Sequence, residues 1–544
     1  MAGVIDVGAL AFRTAIKAPT GLTATALNST SIAVSWTGPS GFSVAAYELE
    51  RSLDGIAGWT QIYSGTTAST TSGGLTPSTA YFYRVRLLDT QGNYSPYSSI
   101  ATATTEADII VTPGFDFFIG PSGNNNNAGS QGSPWALSAL SAKAAQIAGK
   151  HIALLDGTYP ITTAATLPVG ASGTAGSYTI IEAVTPRGAV IDGGAGSSLP
   201  SGIWQGLVVN QAHFVKWRYL EIKRGVHKGF YSTGPHDLEL DGLYIHDLLY
   251  SRQSGYISGD NTDAIRIGDT GAVAGQNENI LITNCKLSDI YNNTSLAASS
   301  HNACGVKTYS TRTSVIVRQT TIFNTSCAVF FKESQSRVGI ADRVYAHTLS
   351  QEPFLGPQAA DSVGAVTQCI VRNGTNVGAF GGDADSLNNG TIDYSHCTFV
   401  AEDNDWSVVG GKLHCQKVNG ARHWNNLYAR LNGHAANDRG DLSINLLAAM
   451  ALLDYNFYPA SPRFQLVSTG YTTLSAWRTA TGKEAGSQTG TPVFALTGSD
   501  AARFKLSNNG QAALTAGRVG GASSGTVVPV GAYITGTEQI GCDF

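Results

Sequence analysis

One short apolar pattern returns between Val215 and Phe399, and it limits the folds open to this chain more than any other feature. Its inward positions read Val215, Trp217, Leu220, Ile222, then Leu238, Leu240, Leu243, Ile245, then Ile280, Ile282, Cys285, Leu287. The later lines read Val315, Val317, Thr320, Ile322, then Val338, Ile340, Arg343, Tyr345, then Gly364, Val366, Cys369, Val371, and Ile392, Tyr394, Cys397, Phe399. Arg343 is a mismatch and the Gly364 line is weak. Each line holds two alternating apolar pairs around a two-residue corner, so each is two short strands meeting at a bend.

Successive lines begin 23, 42, 35, 23, 26 and 28 residues apart, a basic coil of about 23 residues with insertions in some turns. A unit of that size cannot bury its apolar face alone and must stack on its neighbours as a solenoid. The strands are short and β-branched, with no helical stripe between them, which predicts a right-handed parallel β-helix. A leucine-rich horseshoe would need a leucine-and-asparagine signature that is absent. Equivalent positions in adjacent coils then stack at roughly 4.8 Å, so the sequence can be read as a surface.

A chain of 544 residues exceeds one compact domain, and 13% charged residues with 63 glycines suit a β-rich, turn-rich protein. The net charge of −4 gives no reason to expect nucleic acid as a partner, and no apolar run reaches membrane-spanning length. Met1 to Phe12 lacks a basic start and a clear cleavage site. Export would therefore follow another route, as for virion proteins released at lysis, or an export signal has been removed. Seven cysteines make no disulfide framework, and Cys285, Cys369 and Cys397 share one inward register position, as small core hydrophobes do.

From Lys17 to Glu106 short runs alternate apolar and polar residues between turn signals, as an antiparallel sandwich does. Pro19, Ala33-Val34-Ser35-Trp36, Tyr47-Glu48-Leu49-Glu50-Arg51, Leu75 to Tyr81, Arg84-Val85 and Gly92-Asn93-Tyr94-Ser95 resemble a fibronectin type III module. In that family the module is usually a spacer or weak adhesive element. Downstream, a helical stretch around Leu137 to Ala148 precedes His151-Ile152-Ala153-Leu154-Leu155-Asp156-Gly157-Thr158-Tyr159. This opening resembles that of parallel β-helix polysaccharide-degrading proteins, in which a helix caps the solenoid and the first strand ends in a Gly-Thr-Tyr turn. Ser475-Ala476-Trp477, Pro492-Val493-Phe494, Ala516-Gly517 and Val528 to Tyr533 resemble the closing segment of bacterial and phage β-helix proteins. The expected organisation is an extension over 1–16, the module over 17–106, a capped β-helix over 107–470 and its closing segment over 471–544.

Coil spacing also locates the candidate site. About nineteen extra residues precede the Ile280 line and carry Tyr256, Asp260, Asn261, Thr262 and Asp263. About twelve precede the Val315 line and carry Asn292, Asn293, Ser299, Ser300, His301 and Asn302. With Phe230, Ile265, Val306 and Val329 inward, the next residues form an outward column of Tyr231, Arg266, Lys307 and Phe330, in which Lys307 is expected to face solvent. Two adjacent cations flanked by aromatics and bordered by carboxylates suit β-elimination on a uronic acid polymer, where the sugar carboxylate must be neutralised and a base supplied. Resemblance to β-helix pectate and alginate lyases implies Lys307 as that base, kept partly neutral by Arg266, with calcium as a further cation. Asp260 and Asp263 offer oxygen ligands for calcium, though two carboxylates do not fill its shell.

Tyr231, Tyr256 and Tyr309, expected to be exposed, are candidate substrate contacts with Lys332 and Asn302, and His301 could position substrate or accept a proton. Asn261-Thr262-Asp263 also resembles the Asn-Thr-Asp element of β-helix polygalacturonases, which implies hydrolysis by paired carboxylates. That family's following aspartate pair and Gly-His-Gly element are not evident, so Asp289, Asp269 or Glu333 would have to substitute. A third reading is an adhesin or virion protein that grips polysaccharide through its tyrosines without chemistry. A second acidic area, Gly381 to Asp385 with Asp403 and Asp405, is adequately explained by turn chemistry.

Overall fold

The computed structural model describes residues 16–105 (without 29–30 and 77–78), 114–194, 205–249 (without 225–226), 261–268, 278–291, 303–309, 314–332, 338–350, 353–356, 363–372, 376–380, 391–401, 410–415, 420–431 and 441–492 (without 445–446), with a few residues beyond. The chain divides into two compact units, Met1–Thr112 and Pro113–Phe544.

In the first unit, strands Thr20–Asn28, Ser31–Thr37 and Ser69–Ser72 form one antiparallel sheet, and Val44–Ser52, Thr60–Gly65, Ala80–Asp89 and Ala101–Thr104 form another. Alternation places Ile32, Val34, Trp36, Tyr47, Leu49, Tyr83, Val85 and Leu87 in one buried cluster. The Tyr81 hydroxyl accepts the Thr76 backbone N–H at 2.9 Å, fixing the corner that the Leu75 to Tyr81 run suggests.

The second unit consists mainly of three twelve-stranded sheets, and each sheet takes every third strand of the chain. Within these three sheets pairing is parallel apart from the Phe464–Leu466 and Thr469–Tyr471 hairpin, and Gly517–Arg518 and Val527–Val528 form a separate antiparallel pair. The registers bear out the repeat in most lines: Val215 pairs with Leu238, Leu238 with Ile280 and Ile280 with Val315. Between consecutive strands of different sheets, each two-residue corner begins in the left-handed region, at Tyr219, Gly242, Asn284, Gln319, Arg343, Gln368, His396, Asn425 and Tyr455, with φ from 44° to 66°. Turning the corner in this way points the following residue inward. These inward corners are joined by backbone N–H donors: Cys285 to Thr320 Oγ1 at 3.4 Å, Cys397 to Asn426 Oδ1 at 2.9 Å, and Asn426 to Asn456 Oδ1 at 3.0 Å. Cys285, Cys369 and Cys397 are fully buried there, and burial pushes the Cys285 thiol up to about 12, so these residues behave as core.

The Val338 line needs correction. Gly339 pairs with Val315 and Ala341 with Val317, so the inward residues are Gly339, Ala341, Val344 and Ala346, one position from the expected set. Arg343 is the outward corner residue and pairs with Asp342 at 3.0 Å, which accounts for the mismatch.

The helical stretch forms two short helices, Ala139–Ala142 and Ala144–Ile147, whose Ala139, Leu140 and Ile147 join the core. Gly157–Pro160 is a strand rather than a turn, and the buried Tyr159 hydroxyl donates to Ile119 O at 3.0 Å. Near the other end, helix Leu474–Thr481 begins at Thr473, whose side chain accepts from Ala476 N, and its Trp477 stacks on Phe464 at 5.0 Å. Among the described residues no helix is long and apolar enough to cross a membrane.

Candidate functional site

Four consecutive strands of one sheet carry the candidate residues: β1 (Lys228–Thr233), β2 (Thr262–Ile267), β3 (Ala303–Tyr309) and β4 (Cys327–Lys332). Their registers align Phe230, Ile265, Val306 and Val329, all fully buried, with Tyr231, Arg266, Lys307 and Phe330 beside them, as the spacing predicts. Simple alternation fails just before this point, because Ala264 and Ala328 are core residues too. A Cβ on Gly229 would lie 2.4 Å from Ile245 Cγ2, and one on Gly305 would lie 2.5 Å from Ile322 Cγ2, so both glycines also face the core.

Two successive inward residues bend each strand, as a bulge does, and return Lys228, Asp263, Cys304 and Cys327 to the side of Arg266 and Lys307. Small residues at this bend are therefore required. Gly305→Ala should cost about 1–3 kcal/mol by overpacking against Ile322. A thermal melt unchanged from the parent would show that the bend relaxes freely.

The gathered charges come from successive strands of this sheet. Arg266 donates to Asp263 Oδ2 at 3.3 Å, Lys307 to Asn261 Oδ1 at 2.7 Å, and Lys332 to the Tyr309 hydroxyl at 3.3 Å. Lys228 lies in register with Asp263 and meets His227 Nδ1 at 2.6 Å. Around the Tyr309 ring stand Arg266 at 4.1 Å, Lys332 at 5.0 Å and Lys307 at 5.8 Å, while Lys228 lies 5.1 Å from the Tyr231 ring. Asp263 is fully buried, and its Oδ1 has no hydrogen-bond partner among the described residues.

Two expectations about Lys307 are overturned. Instead of facing solvent, Lys307 is 1% exposed, with Arg266 at 6% and Tyr309, expected at the surface, at 2%. These side chains form a floor, and half-buried Tyr231, Asn261 and Lys332 form its rim. Nor is the lysine held neutral. Burial pulls its pKa down, but Cys304, Asp263 and Tyr309 push it up by more than burial and Arg266 pull it down, so it lies above the ordinary lysine value. Lys307 is an ammonium donor bonded to the Asn261 carbonyl.

Tyr256, Asp260, His301 and Asn302 lie outside the described residues, as do Asp269, Glu333, Gly381 to Asp385, Asp403 and Asp405. Asp289 does not join Asp263: it sits on strand Lys286–Tyr291 of a different sheet, bonded to Asn324 at 2.9 Å. Among the described residues no group of three or more His, Cys, Asp or Glu could hold a metal ion. The surroundings of Asp263, with Arg266 on one oxygen and Lys228 beside it in register, suit a guanidinium better than calcium. Lys228 and His227 escaped the sequence reading. The available signal was the column of small residues Gly229, Ala264, Gly305 and Ala328, which marks the bend that brings position 228 outward.

Fold and site together define an all-β protein in which a sandwich precedes many-stranded parallel sheets bearing a cation-rich aromatic face. A model of the fibronectin type III domain matches residues 17–104. An α-amylase from Niallia circulans is 39% identical over 112 residues, covering 20% of this chain and 8% of that protein. Exoglucanase B from Cellulomonas fimi is 42% identical over 95 residues, covering 17% and 8%. The chain thus spans only a small part of these curated relatives, through fibronectin type III domains. Among solved structures, the fibronectin type III domain of a human protein containing such domains is 24% identical, covering 20% of this chain and all of that one, with a TM-score of 0.17.

Proposed function

We propose that the second unit is a right-handed parallel β-helix that binds and depolymerises an acidic polysaccharide outside the cell, on a bacterial surface or from a virion. The observation that carries this reading is the convergence of Lys228, Arg266, Lys307 and Lys332, one from each of four successive coils, around Tyr231 and Tyr309. Such a face complements a polymer bearing carboxylates. The similarity of the chain to an α-amylase and an exoglucanase supports a carbohydrate ligand.

The reaction this face favours is β-elimination. Lys307 and Arg266 neutralise the sugar carboxylate, which makes the neighbouring carbon acid easier to deprotonate. With Lys307 charged and bonded to Asn261, the proton acceptor is assigned to Asp263 through Oδ1, which is fully buried and must be uncovered as the polymer binds. Hydrolysis remains the second reading, favoured by the same buried carboxylate oxygen, but it needs a second carboxylate that the described residues do not place beside Asp263. Incubation with acidic polymers, followed by size analysis, tests the reading. Shortened chains support it, and retention without shortening would leave a binding protein.

The module over 17–104 has its own core, so a fragment beginning at Ala107 should keep turnover on soluble polymer within about twofold. A folded but inactive fragment would assign the module a part in the site.

A further inference from the structure

We propose that Cys304 and Cys327 are a disulfide-forming pair, closed when the chain folds in the presence of a small-molecule disulfide. The two are in-register partners on the adjacent parallel strands β3 and β4. Neighbouring strands lie about 4.8 Å apart, inside the Cα separation of roughly 4.4–6.8 Å that a disulfide spans. Both side chains are fully buried, on the same outward side, in a small apolar cluster with Phe330 and Leu355 that is separate from the main core.

The corner cysteines are placed differently. Cys369 Sγ donates to Thr367 O at 3.3 Å and Cys397 Sγ to Val366 O at 3.4 Å inside the coil, and those two thiols also meet each other, whereas Cys327 Sγ reaches Val329 O at 3.5 Å and Pro353 O at 3.9 Å within the outward cluster. For the outward pair, a bond would tie β3 to β4 three residues before Lys307 and across the register from Asp263. It would hold the bend that brings both groups to one face, and it would remove the Cys304 thiol from the groups that raise the Lys307 pKa, leaving Asp263 and Tyr309 in that role.

Each thiol loses one proton, and the pair together gives up two electrons as the sulfur–sulfur bond forms. Oxidised glutathione takes both electrons and protons and leaves as two molecules of glutathione, by way of a mixed disulfide on one cysteine. Closure during folding removes the need for an oxidant to enter the finished cluster.

The test is refolding of the full chain in a glutathione redox buffer, followed by denaturation, alkylation and peptide mapping. The expected result is two fewer alkylated residues than the seven cysteines of the chain, and a linked peptide joining Cys304 to Cys327 that dithiothreitol releases. Cys304→Ser should abolish that linked peptide and leave Cys327 alkylated, whether or not the variant folds fully. Seven alkylated cysteines, stable glutathione adducts, or a link between Cys369 and Cys397 in place of the proposed one would each overturn the assignment.

Discussion

Lys307→Met should lower turnover on an acidic polymer by ~100-fold or more, the order seen when a group stabilising developing charge is removed. Met keeps most of the buried volume and deletes the charge, so the loss reports the cation rather than packing. Lys307→Ala should show the same loss together with lowered stability, by about 2–4 kcal/mol, because it leaves a cavity and strands the Asn261 carbonyl. The folded pKa of Lys307 is raised, so the stability it contributes is present below its unfolded value near 10.5 and is lost only as pH rises through the higher folded value. Turnover should therefore not climb as pH approaches the ordinary lysine range. A steep rise there, abolished in Lys307→Met, would restore the neutral-lysine base.

Glu484→Gln should stabilise the protein above pH 7 by about 3 kcal/mol, with the gain vanishing near pH 4.5. Glu484 is fully buried and accepts from Tyr458, Ser487 and Asn456, yet burial raises its pKa from 4.5 to about 7 in spite of them. Between those values the folded protein holds a proton that the unfolded chain releases, so this group's contribution falls as pH rises across the window. Buried His423 and half-buried His396 act in the opposite sense. Burial lowers them to about 3 and about 4, so their contributions fall as pH drops below 6.5. The difference between parent and variant cancels the histidines and isolates Glu484. Parallel denaturant-derived stability curves from pH 4.5 to 8 would contradict the assignment.

What the sequence disclosed, and what it hid, follow from the same physics. Apolar residues at fixed spacing determine which residues share a column, so Tyr231, Arg266, Lys307 and Phe330 could be aligned before any coordinates. The pattern misled at Val338, where the inward residues are the small Gly339 and Ala341 while Val338 and Ile340 are only half-buried. A slip of one residue exchanges the two faces of a strand, so size alone chose the wrong one. Lys228 and Asp263 required a bend that alternation does not encode. The burial of Lys307, and with it the sign of its pKa shift, depends on neighbours brought by other strands. Outward from the apolar core does not mean exposed to water. Cys304, Asp263 and Tyr309 reverse the effect that Arg266 alone would have.

Depolymerisation by elimination is tested most directly by product analysis after incubating the full chain with a panel of uronate polymers and bacterial capsular polysaccharides. Size analysis would be combined with ultraviolet absorbance and mass of the new chain ends. The expected result is shortening of an acidic polymer, with an unsaturated uronate at each new non-reducing end, and loss of that product in Lys307→Met and Asp263→Asn. Saturated ends carrying the elements of water would contradict elimination, and unshortened polymer across the whole panel would contradict depolymerisation itself.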